Sequence, residues 1–332
     1  MKLSDPLKNF LSVFLRIGVS GGILFYLFSK IDTAAMFALL KKADFYFLYL
    51  VLAMYLVINF ILFLRWFVLV KGLDLKVPLS AMVNYFFIGL FFNLFLPTST
   101  GGDIIKIWGV CRFTAHKAKV VASVVLDRLC GFMAIVIVAL FSFVFGARIL
   151  NDPSLLIGIF VLAFVSTSIL VILFSEKLYS FGCRIFSRFP KIKNSLMDLH
   201  YDIVLLKDNP MAIIGAVIIS CFAQAVLAFS WFLIAKALHQ NTDLLYFFIF
   251  VPIICVLSSF PSIGGLGTRE AGAVYLFAKA GVLSGVAVSI SLISYILTLA
   301  IGLIGGVLYV AQLSPRRVQH HPSPAGVGPK KA

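Results

Sequence analysis

Long apolar runs separated by short polar links make up most of this chain. Six of them, about 11–28, 45–66, 120–145, 155–174, 211–236 and 286–311, reach the ~20 residues with which a helix crosses ~30 Å of hydrocarbon. They are apolar all round, unlike the short alternating segments of a membrane barrel. Six full transmembrane helices are therefore predicted.

Two further apolar stretches, 79–112 and 244–281, are interrupted near their middles. The first breaks at Pro97-Thr98-Ser99-Thr100-Gly101-Gly102-Asp103 and the second at Pro261-Ser262-Ile263-Gly264-Gly265-Leu266-Gly267. Proline and repeated glycine disfavour a continuous helix. Non-helical backbone at membrane depth is tolerated only inside protein or beside a water-filled cavity. Each stretch therefore reads as a re-entrant helical hairpin that enters partway and turns back. Pro97, Gly101 and Gly102 in the first, and Pro261, Gly264, Gly265 and Gly267 in the second, would line the site.

Charge in the links orients these elements. Lys106, Arg112, Lys117 and Lys119 fall in 104–119 without an acid, and Arg184, Arg188, Lys191 and Lys193 do the same in 184–193. Both links, and the tail that opens with Arg316-Arg317, are predicted to be cytoplasmic. The links 146–154 and 237–243 lack that excess and are predicted to be external. Link 29–44, with Lys30, Lys41 and Lys42 against Asp32 and Asp44, sits outside against the trend. Both termini then lie in the cytoplasm of a multi-pass protein of the cell inner (cytoplasmic) membrane. The unit span, broken hairpin, span at 45–145 recurs at 211–311 with opposite topology. Inverted repeats with paired Gly/Pro interruptions point to a transport site near the midplane.

The whole of 1–313 reads as one membrane domain, its halves linked by 146–210. Within that link, 176–210 has the mixed polarity of a surface-lying helix. The remainder, 314–332, reads as a disordered cytoplasmic tail. The first run follows Lys2 and Lys8 like a signal peptide, but no small-residue cleavage site follows it, so it is read as a retained helix.

Composition agrees. Of 332 residues 61% are hydrophobic and 12% charged, where a soluble domain carries about 25% charged. The formal net charge of +15 lies mainly in the links, where it meets anionic lipid headgroups, so nucleic acid is not a predicted partner. Cys111, Cys130, Cys183, Cys221 and Cys255 show no CxxC spacing, which argues against disulfides and zinc. The histidines have neither HExxH nor HxxxH spacing, and His116 and His200 read as solvated loop residues. Gly265-Leu266-Gly267 does not complete a GxGxxG, there is no Walker A pattern, and Ser258-Ser259 lack a nucleophile elbow. No cofactor, no metal and no catalytic residue are predicted.

Ionisable side chains within spans cost ~2.5–3.5 kcal/mol each, so each needs a reason. The candidates for substrate binding are Asp103, Lys106, Asp127, Arg128, Arg269 and Glu270, with Arg65 and Lys279 nearer the helix ends. Asp103 and Lys106, at i and i+3, can pair directly. Asp127-Arg128 and Arg269-Glu270 are sequence neighbours about 100° apart on a helix, and each member is expected to find its partner elsewhere. For Arg269 that partner would be Asp127 or Asp103. One reading makes these charges structural ion pairs. The other has the basic members meet a lipid phosphate, at breaks where helix N-termini offer free N–H groups.

The segments Asn93-Leu94-Phe95-Leu96-Pro97…Gly101-Gly102-Asp103, Asp127-Arg128 and Phe260-Pro261-Ser262-Ile263-Gly264-Gly265-Leu266-Gly267-Thr268-Arg269-Glu270 resemble the lysylphosphatidylglycerol synthase transmembrane-region family. The resemblance runs from the first span to about residue 311. It implies the flippase half of proteins that make and translocate aminoacylated phosphatidylglycerol, in which a separate soluble aminoacyltransferase domain follows the membrane region. That domain is expected to be absent here, so no transferase activity is expected. The resemblance leaves the lipid open: an anionic or aminoacylated phospholipid, or an isoprenoid-linked lipid. The expected function is a lipid flippase or transporter. The alternatives are a membrane-embedded enzyme of lipid metabolism, or an accessory subunit partnered by a separate lipid synthase.

Overall fold

The computed structural model describes residues 41–95, 101–146, 164, 209–258 and 265–313. The predicted spans at 11–28 and 155–174, the surface helix at 176–210, the tail, and Pro97, Pro261 and Gly264 lie outside these residues. Among the described residues the chain forms eight helices and no strand. They are α1 (Phe45–Gly72), α2 (Leu79–Phe95), α3 (Gly101–Val110), α4 (Lys117–Gly146), α5 (Pro210–Ala237), α6 (Leu244–Leu257), α7 (Thr268–Ala278) and α8 (Ser284–Leu313). Four of them, α1, α4, α5 and α8, are long and apolar enough to cross a membrane.

Each of the four contains a predicted span, and α1 runs further than expected, to Gly72 rather than 66. Arg65 therefore lies two turns inside the helix rather than near its end. The two interrupted stretches each become two short helices that pack on each other, α2 with α3 and α6 with α7. At 17 and 10 residues, and 14 and 11, these are shorter than the ~20 residues of a full crossing.

Helices α1 and α5 pack along one another in opposite directions. At one end the Asp44 amide donates to the Ala237 carbonyl at 2.9 Å; at the other, Gly72 lies against Ala212. Around this pair the contacts are reciprocal: α2 packs on α8, and α6 packs on α4. Buried apolar side chains divide differently, into one cluster mainly on α1, α2 and α4 and another mainly on α5 to α8. One cluster holds Trp66, Leu69, Met82, Phe86 and Val124, and the other Ile58, Trp231, Phe247, Phe250 and Phe277.

Local features also recur 165 positions apart. Trp66 and Trp231 are buried at matching places in α1 and α5. Leu73 and Leu238 end those helices with φ, ψ of −89°, 7° and −91°, 15°. The residues that follow, Asp74 and His239, take left-handed φ of 54° and 58°.

Candidate functional site

Two centres of buried charge stand at the starts of the two short inner helices, α3 and α7. On α3, Gly102, Asp103, Lys106 and Gly109 are buried, while Ile104 and Trp108 are more than half exposed. The helix thus turns its polar stripe to the bundle and its apolar side outward, as a helix in lipid must. Close backbone approach holds it there. A methyl on Gly89 would stand 2.9 Å from the Gly102 carbonyl oxygen and 3.0 Å from Lys106 Cγ. The Gly102 amide donates to Asn93 Oδ1 at 2.7 Å, which satisfies one free donor of the first turn.

Three helices, α1, α3 and α4, supply the charges of the first centre. Arg65 of α1 donates from Nε to Asp127 Oδ1 of α4 at 2.5 Å, and from Nη1 to Ser220 Oγ of α5 at 3.3 Å. Arg128 of α4 donates from Nε to Asp103 Oδ2 at 2.6 Å. Lys106 Nζ sits between the carboxylates, 3.6 Å from Asp103 Oδ1 and 4.0 Å from Asp127 Oδ2. It also lies 4.8 Å from the Phe86 ring centre and 5.4 Å from that of Trp66, within the range of cation–π attraction. Trp66 is itself anchored through Nε1 to Ser123 Oγ at 3.3 Å. The two arginine–carboxylate contacts, Arg65 on Asp127 and Arg128 on Asp103, belong to the strong, short class of hydrogen bond between ionised groups.

The second centre is built differently. Gly265 and Gly267 take φ of 79° and 88°, left-handed values that only glycine adopts without strain, and they turn the chain into α7. Glu270, with no exposed surface, accepts the Gly267 amide on Oε2 at 2.6 Å. Its Oε1 accepts from Arg269 Nε at 3.1 Å, Arg269 Nη2 at 2.6 Å and Ser291 Oγ at 3.0 Å. Arg269 Nε also reaches Ser291 Oγ at 2.9 Å, and its guanidinium lies 4.8 Å from the centre of the Tyr295 ring. Beside it, Tyr55 Oη of α1 and Ser294 Oγ of α8 are 2.5 Å apart.

This corrects one sequence expectation. Arg269 and Glu270 pair with each other rather than with Asp127 or Asp103. Although their Cα–Cβ directions diverge, the arginine side chain is long enough to fold back along its own turn, and Ser291 holds both groups. Asp127 and Arg128 do pair outside their own helix, with Arg65 and Asp103. The Asp103–Lys106 contact exists, but Asp103's short bond is to Arg128. Sequence reading named Arg65 but set it near a helix end, and it left out Ser220, Ser291 and Tyr295 and the rings of Trp66 and Phe86.

No solved structure matches the chain. A curated relative, the UPF0104 membrane protein PH1989 of Pyrococcus horikoshii, is 28% identical over 143 residues. The match covers 42% of this chain and 43% of that protein, so the chain spans less than half of the relative's length. The family described as "Lysylphosphatidylglycerol synthase TM region" matches over residues 13–306. With a match over nearly all of its apolar length, this membrane protein belongs to the lysylphosphatidylglycerol synthase TM region family.

Proposed function

We propose that this protein carries a polar-headed lipid across the cytoplasmic membrane and performs no chemistry on it. The observation that carries this reading is the pair of buried charge centres at the first turns of α3 and α7. Charge inside lipid is costly, and where it occurs it pairs and marks the path of a polar group. A headgroup moving between such centres exchanges water for fixed ionic partners while its acyl chains stay in the bilayer. The family, described as a lysylphosphatidylglycerol synthase TM region, supports a phospholipid as the molecule that meets these centres.

In this reading the fold is six full spans plus two re-entrant hairpins, arranged as inverted repeats. Three observations support it: the antiparallel α1–α5 pair, the reciprocal packing of α2 on α8 and α6 on α4, and the features recurring at 165 positions. Tyr55 and Ser220 share that spacing, and each joins a buried polar centre, through Ser294 and Arg65. Both termini are cytoplasmic. The test is reconstitution of the purified chain into vesicles with headgroup-labelled phospholipids, followed by lipid chromatography. Label moving between leaflets unaltered is the expected result. A new lipid product without movement contradicts the reading and favours an enzyme.

A further inference from the structure

The first centre contains a buried acceptor that makes no hydrogen bond and, beside it, an ammonium with no carboxylate oxygen within hydrogen-bond distance. Asp103 Oδ1 is inaccessible to solvent and makes no hydrogen bond among the described residues. Lys106 Nζ, on a side chain 6% exposed, stands 3.6 Å from that oxygen, beyond the 2.7–3.2 Å of an N–H···O bond. Its other carboxylate neighbour, Asp127 Oδ2, is further still at 4.0 Å. Around them the remaining bonds are short: Arg65 on Asp127, Arg128 on the other oxygen of Asp103, and the Phe86 and Trp66 rings beside the ammonium. The second centre offers no such opening, because both oxygens of Glu270 are taken.

We infer that Lys106 Nζ and Asp103 Oδ1 are the headgroup seat, and that they select a phospholipid whose phosphate has a hydrogen-bond donor beside it. This rests on the lipid-transport reading and makes it more specific. The ammonium takes a phosphate oxygen, and the open carboxylate oxygen takes an N–H or O–H from the same headgroup. A primary ammonium on a short ethyl arm and a glycerol hydroxyl both meet this requirement. A quaternary trimethylammonium does not, since it has no N–H to give. A site built to receive a donor discriminates strongly against a ligand that lacks one, because its own acceptor is then buried without a partner. The assignment also moves the phosphate contact from Arg269, whose Nε and Nη2 already serve Glu270 and Ser291, to Lys106.

The test compares phosphatidylethanolamine, phosphatidylglycerol and phosphatidylcholine on the purified full chain. Binding is measured in detergent by calorimetry, and movement is measured in vesicles. Phosphatidylethanolamine and phosphatidylcholine carry the same net charge, so their comparison isolates the donor. The seat predicts binding of phosphatidylethanolamine about tenfold tighter than phosphatidylcholine, the effect of one hydrogen bond to a charged group. The phosphatidylglycerol arm tells a hydroxyl from an ammonium. Asp103→Asn, which keeps an oxygen for Arg128 and replaces the open acceptor by an amide donor, should bring the ratio close to one. Equal binding of the two zwitterionic lipids by the unaltered chain overturns the seat, as does an unchanged ratio in Asp103→Asn. Donor-selective binding without any movement upholds the seat and counts against transport. Movement without selectivity does the reverse.

Discussion

Arg65 and Asp127, 62 positions apart in sequence, meet at 2.5 Å between α1 and α4 and are both more than nine-tenths buried. Through Ser220 the same arginine touches α5, so one guanidinium ties together three of the four long helices. Removing Arg65 leaves Asp127 with only the more distant Lys106, and removing Asp127 leaves the guanidinium with only the Ser220 hydroxyl.

Arg65→Met and Asp127→Leu should therefore each lower stability by about 3–5 kcal/mol, whereas the double substitution should recover most of that loss. Thermal unfolding of the four proteins in one detergent measures it. Strictly additive losses would mean that the two side chains do not depend on each other.

Helix packing makes a second, independent prediction. A methyl on Gly305 of α8 would run into the Phe87 carbonyl of α2, so Gly305→Leu should cost about 1–3 kcal/mol or more through overpacking. Gly215 in α5 has open surroundings, its nearest contact being 3.9 Å from Val68, and Gly215→Ala should gain about 0.5–1 kcal/mol from backbone entropy. Melting temperatures in the reverse order would contradict the α2–α8 packing.

Arg269 acts on its own neighbour. Its Nε and Nη2 both bind Glu270 Oε1, and its Nε also reaches Ser291, a geometry a lysine ammonium cannot reproduce. Arg269→Lys should lower stability by about 1–3 kcal/mol, and Ser291→Ala by about 1 kcal/mol. An Arg269→Lys protein that melts like the unaltered chain would show that Glu270 does not rely on the fork.

Sidedness follows from the proposed inverted topology. On a chain without its own cysteines, Lys76→Cys and Ala115→Cys should react with an impermeant thiol reagent only from the cytoplasm. Asn241→Cys should react only from outside. All three positions are exposed. Labelling of Ala115→Cys and Asn241→Cys from the same face would rule out the inverted repeat.

The helices were legible because hydrophobicity is a local property. Runs of apolar residues set the long helices, and Pro and Gly set the interruptions, each visible within a short window. The charged positions were legible for the same reason, since Asp103, Lys106, Asp127, Arg128, Arg269 and Glu270 stand out against apolar neighbours. Their partners were not. Arg65 and Asp127 meet through the packing of α1 on α4, which no local pattern encodes. Arg269 and Glu270 pair within one turn because Ser291, from a different helix, holds both in place. Gly102 carries a packing role that its sequence context left open, because Gly89 comes against it from across the hairpin. The 165-residue recurrence of Leu73-Asp74 at Leu238-His239 is a likeness of backbone shape between dissimilar residues, so side-chain identity hid it.

The measurement that bears most directly on the account is lipid movement by the unaltered chain beside the Lys106→Met variant. In vesicles carrying a headgroup-quenchable phospholipid on both leaflets, an impermeant quencher removes about half of the signal when lipids stay in their leaflet. The unaltered chain should bring the inner half within reach of the quencher. The variant, which keeps Arg65 on Asp127 and Arg128 on Asp103 but lacks the ammonium, should leave it protected. Protection in vesicles of the unaltered chain, or full access through the variant, would contradict the claim that the buried charge centre carries the headgroup.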